Sequence, residues 1–353
     1  MKVGSTASVS RRSFLALAAA APLAASAAAP KGGKAFSDSG KVRFLAFADI
    51  HYCPGVWPNP SIDWLGRVLA RAESEKTDFT IHLGDFVHRV DRPEEIAYVK
   101  RYNSFSQPAY HVIGNHDGER GDFADVLKAY KLEKPYYSFD RGGYRFIVGD
   151  PNYFLEKGEG KTPKHFENKN INEALKRGEV AKAYFLPDEQ MEWLRSTVAE
   201  SPYPCVFFSH ERLASLKNGG EIREIFDAAN REIPGKVRLV INGHDHVDHV
   251  GVQKDIVYFS LNSASYFYYA KTHDKYPADF VKENLAATHT LVWNDPLSAV
   301  ITLDRNGVRI VGSASTYKFG VDPAKAGLPL FDALSRPAAP IVSTFEFTKE
   351  YKS

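Results

Sequence analysis

The sequence predicts an α/β fold, and two observations lead to that prediction. Five short apolar runs of strand length each end in Gly, Asp, Asn or His, and stretches with helical periodicity lie between them. Strands that alternate with helices favour parallel sheets covered on both faces. The chain has 353 residues, 44% hydrophobic and 25% charged, which is ordinary globular composition for one large domain or two small ones.

The N-terminus precedes the first strand and is predicted to be a targeting segment. The stretch "SVSRRSFLALAAAAPLAASAAAP" places Arg11 and Arg12 before an alanine-rich run and small residues, which is typical of a twin-arginine export signal. The run is shorter than the ~20 apolar residues that a membrane span needs. We therefore expect residues 1–29 to be a cleaved signal, residues 30–41 a linker, and the mature protein to be periplasmic or otherwise exported, without a membrane span.

The charge balance bears on the partners. Loss of residues 1–29 removes Lys2, Arg11 and Arg12 and no acidic residue, so the net charge changes from +2 to about −1. This balance predicts neither nucleic acid nor an anionic membrane as a partner. We expect Cys53 and Cys205 to be free thiols, and composition does not indicate the oligomeric state.

The five predicted strands share a polar or metal-ligating side chain at the carboxyl end. They are "VRFLAFADIH" (42–51), "DFTIHLGDFVH" (78–88), "AYHVIGNHD" (109–117), "PCVFFSH" (204–210) and "RLVINGHDH" (238–246). In parallel sheets, ligands bind at the carboxyl ends of the strands because the loops there converge. We therefore expect Asp, Asn and His side chains from distant positions to meet at one rim.

The remaining elements follow from periodicity and turn signals. Helices are predicted over 62–75, 93–105, 122–130, 186–200 and 218–231. The Asp-Arg-Asn-Gly turn in "SAVITLDRNGVRIVGSAS" (298–315) predicts a hairpin, which we expect to complete the second sheet. The segment "IVSTFEF" near the C-terminus fits either a closing strand or a loosely held tail.

The side chains expected at the rim suit metal ions. Two aspartates, one asparagine and four histidines, without a thiolate, suit Mn²⁺, Fe or Zn²⁺ in a catalytic site better than a closed structural zinc. Seven such side chains are more ligands than one metal ion with an open coordination position can use. They fit two ions that share a bridging carboxylate.

In order and residue type, these motifs resemble those of the calcineurin-like metallophosphoesterase superfamily over about residues 42–270. The matching motifs are Asp49-Ile50-His51 for D-x-H, Gly84-Asp85 for G-D, Gly114-Asn115-His116-Asp117 for G-N-H-D/E, Ser209-His210 for the lone histidine, and Gly243-His244-Asp245-His246 for G-H-x-H. The resemblance implies a four-layer α/β/β/α sandwich. We place this domain at residues 42–320, with a charged insertion at 153–185 and a C-terminal tail at 321–353.

The resemblance also implies a role for each residue. One metal ion would be bound by Asp49, His51 and His246 and the other by Asn115, His210 and His244, with Asp85 as the bridge between them. His116 would stabilise charge or protonate the leaving oxygen, so that Asp85 and His116 are the catalytic candidates. The implied enzyme is a dinuclear-metal phosphoesterase in which a metal-bound hydroxide attacks phosphorus in line. The implied cofactors are two divalent or mixed-valent ions, Mn, Fe or Zn, and the implied substrate is a phosphorylated small molecule.

Some positions refine the resemblance. The stretches at 135–150 and 186–213 resemble the branch with cyclic-nucleotide phosphodiesterase-like and ADP-ribose/CDP-alcohol pyrophosphatase-like members, although Gly149 replaces a larger apolar residue. His88 stands where purple acid phosphatases have a tyrosine ligand, and His51 where they have glycine, which argues against a tyrosinate-iron(III) centre. We expect His88 and Asp117 to form hydrogen bonds behind the ligands.

The substrate pocket is less well indicated. Tyr266 and Tyr268 in "SASYFYYA" (263–270), and Trp57 in "CPGVWPNP", either form a stacking wall for a base or aryl group or pack as an apolar edge. The insertion at 153–185 either contacts substrate or is a solvated charged face. His82 and His111 lie within strand runs and are expected in the core or on a sheet face.

Two alternatives to a general phosphoesterase remain open. One is a nucleoside-diphosphate or cyclic-nucleotide phosphohydrolase of the same fold. The other is a metal- or phosphate-binding module without turnover, which the complete ligand set and His116 disfavour. A DNA nuclease is disfavoured by the absence of a basic surplus.

Overall fold

The computed structural model describes residues 40–56, 63–88, 90–118, 123–156, 164–165, 177–178, 180–182, 184–268, 275–328, 338–349 and 351. The predicted export signal at 1–29, most of the predicted linker and Trp57 lie outside these residues. None of the helices in the described ranges is long and apolar enough to cross a bilayer.

The strands are numbered along the chain. Within the described residues they are β1 (Val42–Phe47), β2 (Phe79–Leu83), β3 (Ala109–Val112), β4 (Tyr137–Arg141), β5 (Tyr144–Val148), β6 (Tyr153–Glu156), β7 (Lys164–His165), β8 (Val180–Lys182), β9 (Cys205–Ser209), β10 (Val237–Asn242), β11 (His249–Gln253), β12 (Ile256–Ser260), β13 (Tyr266–Tyr268), β14 (Thr290–Val292), β15 (Ala299–Asp304), β16 (Gly307–Val311) and β17 (Phe345–Thr348).

Five of the six helices in the described residues fall close to the predicted ranges, and the short sixth helix was not predicted. In the described part of the chain they are α1 (Trp64–Ser74), α2 (Pro93–Asn103), α3 (Phe123–Tyr130), α4 (Asp188–Glu200), α5 (Gly219–Glu232) and α6 (Ala278–Glu283). Local chemistry explains two starts: Asp63 caps α1 by accepting from the Gly66 amide at 2.9 Å, and Pro93 occupies the first turn of α2.

Two six-stranded mixed sheets form the centre of the fold. The first has the order β17-β16-β15-β1-β2-β3 and the second the order β11-β12-β10-β9-β5-β4. In the first sheet β1, β2 and β3 are parallel, and in the second β12, β10, β9 and β5 are parallel. Five of these parallel strands, β1, β2, β3, β9 and β10, carry at their carboxyl ends the motifs predicted to meet.

The inner faces of the two sheets pack against each other through aromatic side chains. Phe44 of β1 stacks on Phe79 at 4.8 Å and meets the edges of Phe146 and Phe208 of the second sheet at 5.5 and 5.9 Å. Each such pair adds about 0.5–1.5 kcal/mol beyond area burial. This core therefore fixes the strand ends of one sheet relative to those of the other.

Helices cover the outer faces. Phe47 of β1 packs on Tyr102 of α2 with ring centroids 5.6 Å apart, and Phe207 of β9 packs on Phe226 of α5 at 5.3 Å. The predicted four-layer α/β/β/α arrangement is therefore confirmed.

Two expectations about the sheets need correction. The hairpin β15–β16 does not complete the second sheet, because β15 pairs antiparallel with β1 in the first. The sheets are not purely parallel, since antiparallel strands flank the parallel strands in both. The C-terminal segment supplies a closing strand, because β17 pairs with β16.

The insertion and the cysteines are also partly described. Strands β6, β7 and β8 of the insertion form a small antiparallel sheet. Cys53 and Cys205 are both buried and form no disulfide with each other, as the sequence predicts.

Candidate metal centre

The predicted ligands meet where loops from both sheets touch. The loop after β1 runs beside the loop after β2, and the Asp49 amide donates to the Gly84 carbonyl at 3.1 Å. Across the sheets, the His244 amide donates to the Asp49 carboxylate at 3.0–3.2 Å. Since each loop is hydrogen-bonded to a neighbour, the side chains they carry are held at one rim.

Three overlapping groups of donor atoms form at this rim, and two of them, called here the first and the second group, consist only of predicted ligands. In each group the atoms lie within 4.8 Å of one another; the first comprises Asp49, His51 and His246, and the second Asp85, His210 and His244. Asn115 joins the second group, because its Oδ1 lies 3.2 Å from His210 Nε2. The structure therefore brings together all seven residues predicted as ligands.

Asp85 lies between the two groups. Its Oδ2 is 3.7 Å from Nε2 of His51 and 3.2 Å from Nε2 of His210. Its other oxygen, Oδ1, accepts a hydrogen bond from the His116 amide at 2.8 Å. One carboxylate oxygen is thus free to face both groups, which is the geometry that a bridging ligand requires.

The outer nitrogens of the histidines are already engaged. His210 Nδ1 donates to the Leu83 carbonyl and His246 Nδ1 donates to the Tyr266 carbonyl, both at 2.7 Å. Each donation turns Nε2 into the site, and the Nε2 atoms of His51 and His246 lie 3.1 Å apart. Although burial lowers the pKa of His210, the Asp85 carboxylate raises it well above its usual value, so in the absence of a cation His210 is itself the positive charge beside Asp85. A hydrogen-bonded outer nitrogen is the usual state of a metal-ligating histidine. Converging lone pairs beside two carboxylates fit cations, so the donor set suits two metal ions.

The backbone at these ligands is strained. Asp49, His51, Asp85, His244 and His246 all adopt positive φ between 50° and 67°. Non-glycine residues rarely adopt this region, and where they do the surrounding structure must hold them there. The strain therefore coincides with the ligand positions.

Electrostatics make the site receptive to positive charge. Although burial raises the pKa of Asp85, the neighbouring His210, His116 and His51 hold it well below its usual value. Burial lowers the pKa of His51 well below its usual value, and it lowers that of His244 to about 3. These two imidazoles are therefore neutral near pH 7 and offer lone pairs.

His116 lies beside the first group and is only half-buried. Its ring is 5.1 Å from that of His51 and 4.5 Å from that of His88. It also offers a nitrogen within 4.8 Å of atoms of His51 and Asp85. The geometry thus places it at the mouth of the site, where it can reach a bound substrate.

Two further residues support the ligands from behind. His88 Nε2 lies 2.9 Å from His51 Nδ1. The buried carboxylate of Asp117 accepts from the amides of Asp85, Phe86, Val87 and Gly114 at 2.8–3.0 Å and from the Tyr130 hydroxyl at 2.6 Å. Asp117 therefore ties the G-D loop to the G-N-H-D loop.

The tyrosine candidates differ from each other. Tyr266 is fully buried and stacks against His51 with centroids 5.3 Å apart. Tyr268 is half-buried, 4.8 Å from the His246 ring and nearly parallel to His116 at 6.5 Å. On the other side, Tyr184 meets the edge of His244 at 5.6 Å. Tyr268 and Tyr184, and not Tyr266, are exposed enough to touch a ligand.

Sequence reasoning missed several residues of the site. The hydroxyls of Ser263 and Ser265 both donate to the Asp49 carbonyl, at 2.8 and 2.9 Å. Glu211 is fully buried beside His210, neither of its carboxylate oxygens has a hydrogen-bond partner on another of the described residues, and burial raises its pKa to about 8. The serines of "NSAS" directly after β12 could have indicated a loop-bracing role, whereas nothing in "SHERL" marks Glu211 as buried.

Neighbouring polar residues have other partners. Asp245, between the two histidines of its motif, pairs with Arg212 at 3.3 Å. His249, three residues after His246, is exposed. Arg92 Nη1 lies 3.8 Å from the Cys53 sulfur.

Comparisons with known proteins identify the family and the fold. The profile of the family described as calcineurin-like phosphoesterase matches residues 42–248. A dimetal phosphatase from Danio rerio has a similar structure with a TM-score of 0.52 at 15% identity, covering 78% of this chain and 96% of that chain. At that identity the likeness concerns the fold.

Two further structures have lower scores. The structure of PhoD gives a TM-score of 0.46 at 15% identity over 78% of this chain and 66% of that chain. A purple acid phosphatase from yellow lupin seeds gives a TM-score of 0.42 at 14% identity, covering 79% of this chain and 52% of that chain. No curated protein sequence matches this chain significantly.

Proposed function

The chain belongs to the calcineurin-like phosphoesterase family and is a metal-dependent phosphoesterase, and on that premise we propose that the rim cluster is its catalytic centre. Asp49, His51 and His246 would hold one ion and Asn115, His210 and His244 the other, with Asp85 shared between them. Manganese, iron and zinc all accept this donor set.

One observation carries this proposal. Asp85 Oδ2 lies 3.7 Å from His51 Nε2 of the first group and 3.2 Å from His210 Nε2 of the second group. A single closed metal site would not need a carboxylate placed between two histidine groups. Two bound ions would neutralise phosphoryl oxygens and lower the pKa of water.

The protein's own residues supply the remaining functions. Backbone amides of His244 and His116 orient the two carboxylates, and hydrogen bonds to backbone carbonyls fix His210 and His246. His116, at the mouth of the site, stabilises charge on the phosphoryl group or gives a proton to the leaving oxygen. The test is elemental analysis of protein purified without chelators, combined with turnover of p-nitrophenyl phosphate.

We propose that the substrate is a phosphorylated small molecule whose leaving group carries an aromatic ring or base. The support is the position of Tyr268, half-buried beside His246 and His116, and of Tyr184 beside His244. A nucleoside-diphosphate or cyclic-nucleotide substrate fits the same surroundings. Relative rates on p-nitrophenyl phosphate, bis-p-nitrophenyl phosphate, a cyclic nucleotide and ADP-ribose separate these classes, and equal rates on alkyl phosphates would contradict an aromatic preference.

We propose further that the chain is exported by the twin-arginine pathway. The support is Arg11-Arg12 before the alanine-rich run, and a route for folded proteins suits a centre that acquires metal before export. Replacing both arginines by lysine should retain the full-length protein in the cytoplasm, as measured by fractionation and N-terminal sequencing. Normal export of that variant would contradict the proposal.

A further inference from the structure

Two histidines that are not near enough to bind metal lie buried beneath the rim. His82 of β2 and His111 of β3 are register partners on neighbouring parallel strands, and both are almost completely buried. His82 Nε2 lies 2.6 Å from His111 Nδ1, and His111 Nε2 lies 2.6 Å from Asn103 Oδ1 of α2. The three side chains form one hydrogen-bonded chain.

The direction of every hydrogen bond in this chain is fixed. Asn103 uses its amide nitrogen to donate to the Ala129 carbonyl at 2.9 Å, so its Oδ1 accepts from His111. His111 therefore carries its proton on Nε2 and accepts on Nδ1, and His82 must donate from Nε2. The remaining nitrogen of His82, Nδ1, accepts from the Gly84 amide at 3.2 Å.

The Gly84 amide connects this chain to the centre. It belongs to the same peptide group as the Leu83 carbonyl, and that carbonyl accepts from His210 Nδ1 at 2.7 Å. The peptide group is planar and rigid. Donation from its N–H strengthens acceptance at its oxygen, because hydrogen bonds in series polarise one another. His82 and His210 thus hold the two ends of one peptide group.

Close packing makes the placement of this peptide critical. Gly84 has φ of +95°, and a Cβ at this position would lie 2.3 Å from His210 Nδ1. Asp85 follows directly, with φ of 51°. A rotation of the Leu83–Gly84 peptide would therefore move both the His210 ring and the bridging carboxylate.

We propose that His82 and His111, together with Asn103, are positioning residues that fix the orientation and tautomer of His210 and thereby set the affinity of the second metal position. The predicted effect on metal affinity rests on the proposed function, in which the rim binds two metal ions. Hydrogen-bond partners of metal ligands commonly alter metal affinity by 10–100-fold.

The first test reads the protons directly and needs no metal. In ¹⁵N-histidine-labelled, metal-free protein, long-range ¹H–¹⁵N spectra at pH 7 should show His82 and His111 protonated on Nε2 alone, and His210 with a proton on Nδ1. His82 or His111 protonated on Nδ1, or on both nitrogens, would overturn the proposal.

The second test breaks the chain. In the wild-type protein the His111 ring stacks on Tyr130 with centroids 4.3 Å apart. His111→Phe keeps an aromatic ring at this position but removes the acceptor for His82. Mn²⁺ titrated into metal-free protein should bind the second position 10–100-fold more weakly, with the first position unchanged. His111→Asn keeps a short acceptor for His82 and should recover most of the affinity.

The matched control is Asn230→Ala, which removes two hydrogen bonds to Val237 at the opposite end of β10. It should destabilise the protein without changing either Mn²⁺ affinity. Unchanged Mn²⁺ binding in folded His111→Phe would overturn the proposal. If that variant does not fold, the tautomers of His82 and His111 in the wild-type protein decide whether the proposal holds. Wild-type protein that binds no Mn²⁺ would contradict the proposed function, and the tautomers would still decide the positioning chain.

Discussion

His51 and His210 at the rim and the core pair His82–His111 are all buried, yet their surroundings differ. His51 and His210 turn their inner nitrogens toward the carboxylates of Asp85 and Asp49 at 3.2–4.0 Å. The core pair faces an amide side chain, a backbone N–H and aromatic rings. A buried imidazole without a carboxylate beside it is therefore a neutral structural group. A buried imidazole beside converging carboxylates is a candidate metal ligand.

The strongest way to break this contrast is to remove the carboxylate between the two rim groups. Asp85→Asn should reduce phosphatase activity by on the order of 10³-fold or more, since loss of bridging charge removes several kcal/mol of transition-state stabilisation. Metal content should fall from two ions towards one. Asp140→Asn, which affects only a salt bridge to Arg145, is the control, and full activity of Asp85→Asn would contradict the bridging role.

The next prediction separates a rim histidine that acts on substrate from those that bind metal. His116→Ala should retain both ions and lose on the order of 10²–10⁴-fold in kcat, the usual range for a general acid. Exposed His249→Ala should behave as wild type. Retention of most of the activity would contradict the role, and loss of an ion would place His116 among the ligands.

The core pair should appear in the pH dependence of stability. Burial lowers the pKa of His111 to about 3, so between pH 6.5 and 3 the unfolded chain binds a proton that the folded chain does not. The contribution of His111 to the free energy of unfolding is therefore constant above pH 6.5, and it declines by about 1.4 kcal/mol per pH unit as the pH falls below that value. In urea unfolding from pH 7 to 5, the stability advantage over His111→Asn should shrink with that slope; a constant difference would contradict a neutral His111.

The smallest expected effect concerns the aromatic side chain at the rim. Tyr268→Leu removes a ring 4.8 Å from His246, and an aromatic contact contributes about 0.5–1.5 kcal/mol. KM for p-nitrophenyl phosphate should rise about 2–10-fold, while KM for glycerol phosphate stays unchanged. An equal rise for both substrates would show that Tyr268 does not contact the leaving group.

The sequence predicted the rim well because strand ends and motifs are local features. Asp49, His210 and His244 each follow an apolar run directly, and parallel strands bring such ends together. The neighbour of the β15–β16 hairpin could not be predicted, since a turn signal specifies which strands pair with each other but not the strand beside them.

Other features of the site depend on tertiary contacts. Tertiary packing produces the left-handed backbone of His51 and His246 and the burial of the Glu211 carboxylate. No local sequence pattern indicates either feature. His82 and His111 were predicted as core residues, but their link to His210 passes through a backbone peptide that carries no side-chain signal.

The most direct measurement is anomalous diffraction from crystals grown with Mn²⁺. Two peaks should appear, one bounded by Asp49, His51 and His246 and the other by Asn115, His210 and His244, with Asp85 touching both. A single peak, or peaks ligated by other residues, would contradict a two-metal centre built from these seven side chains.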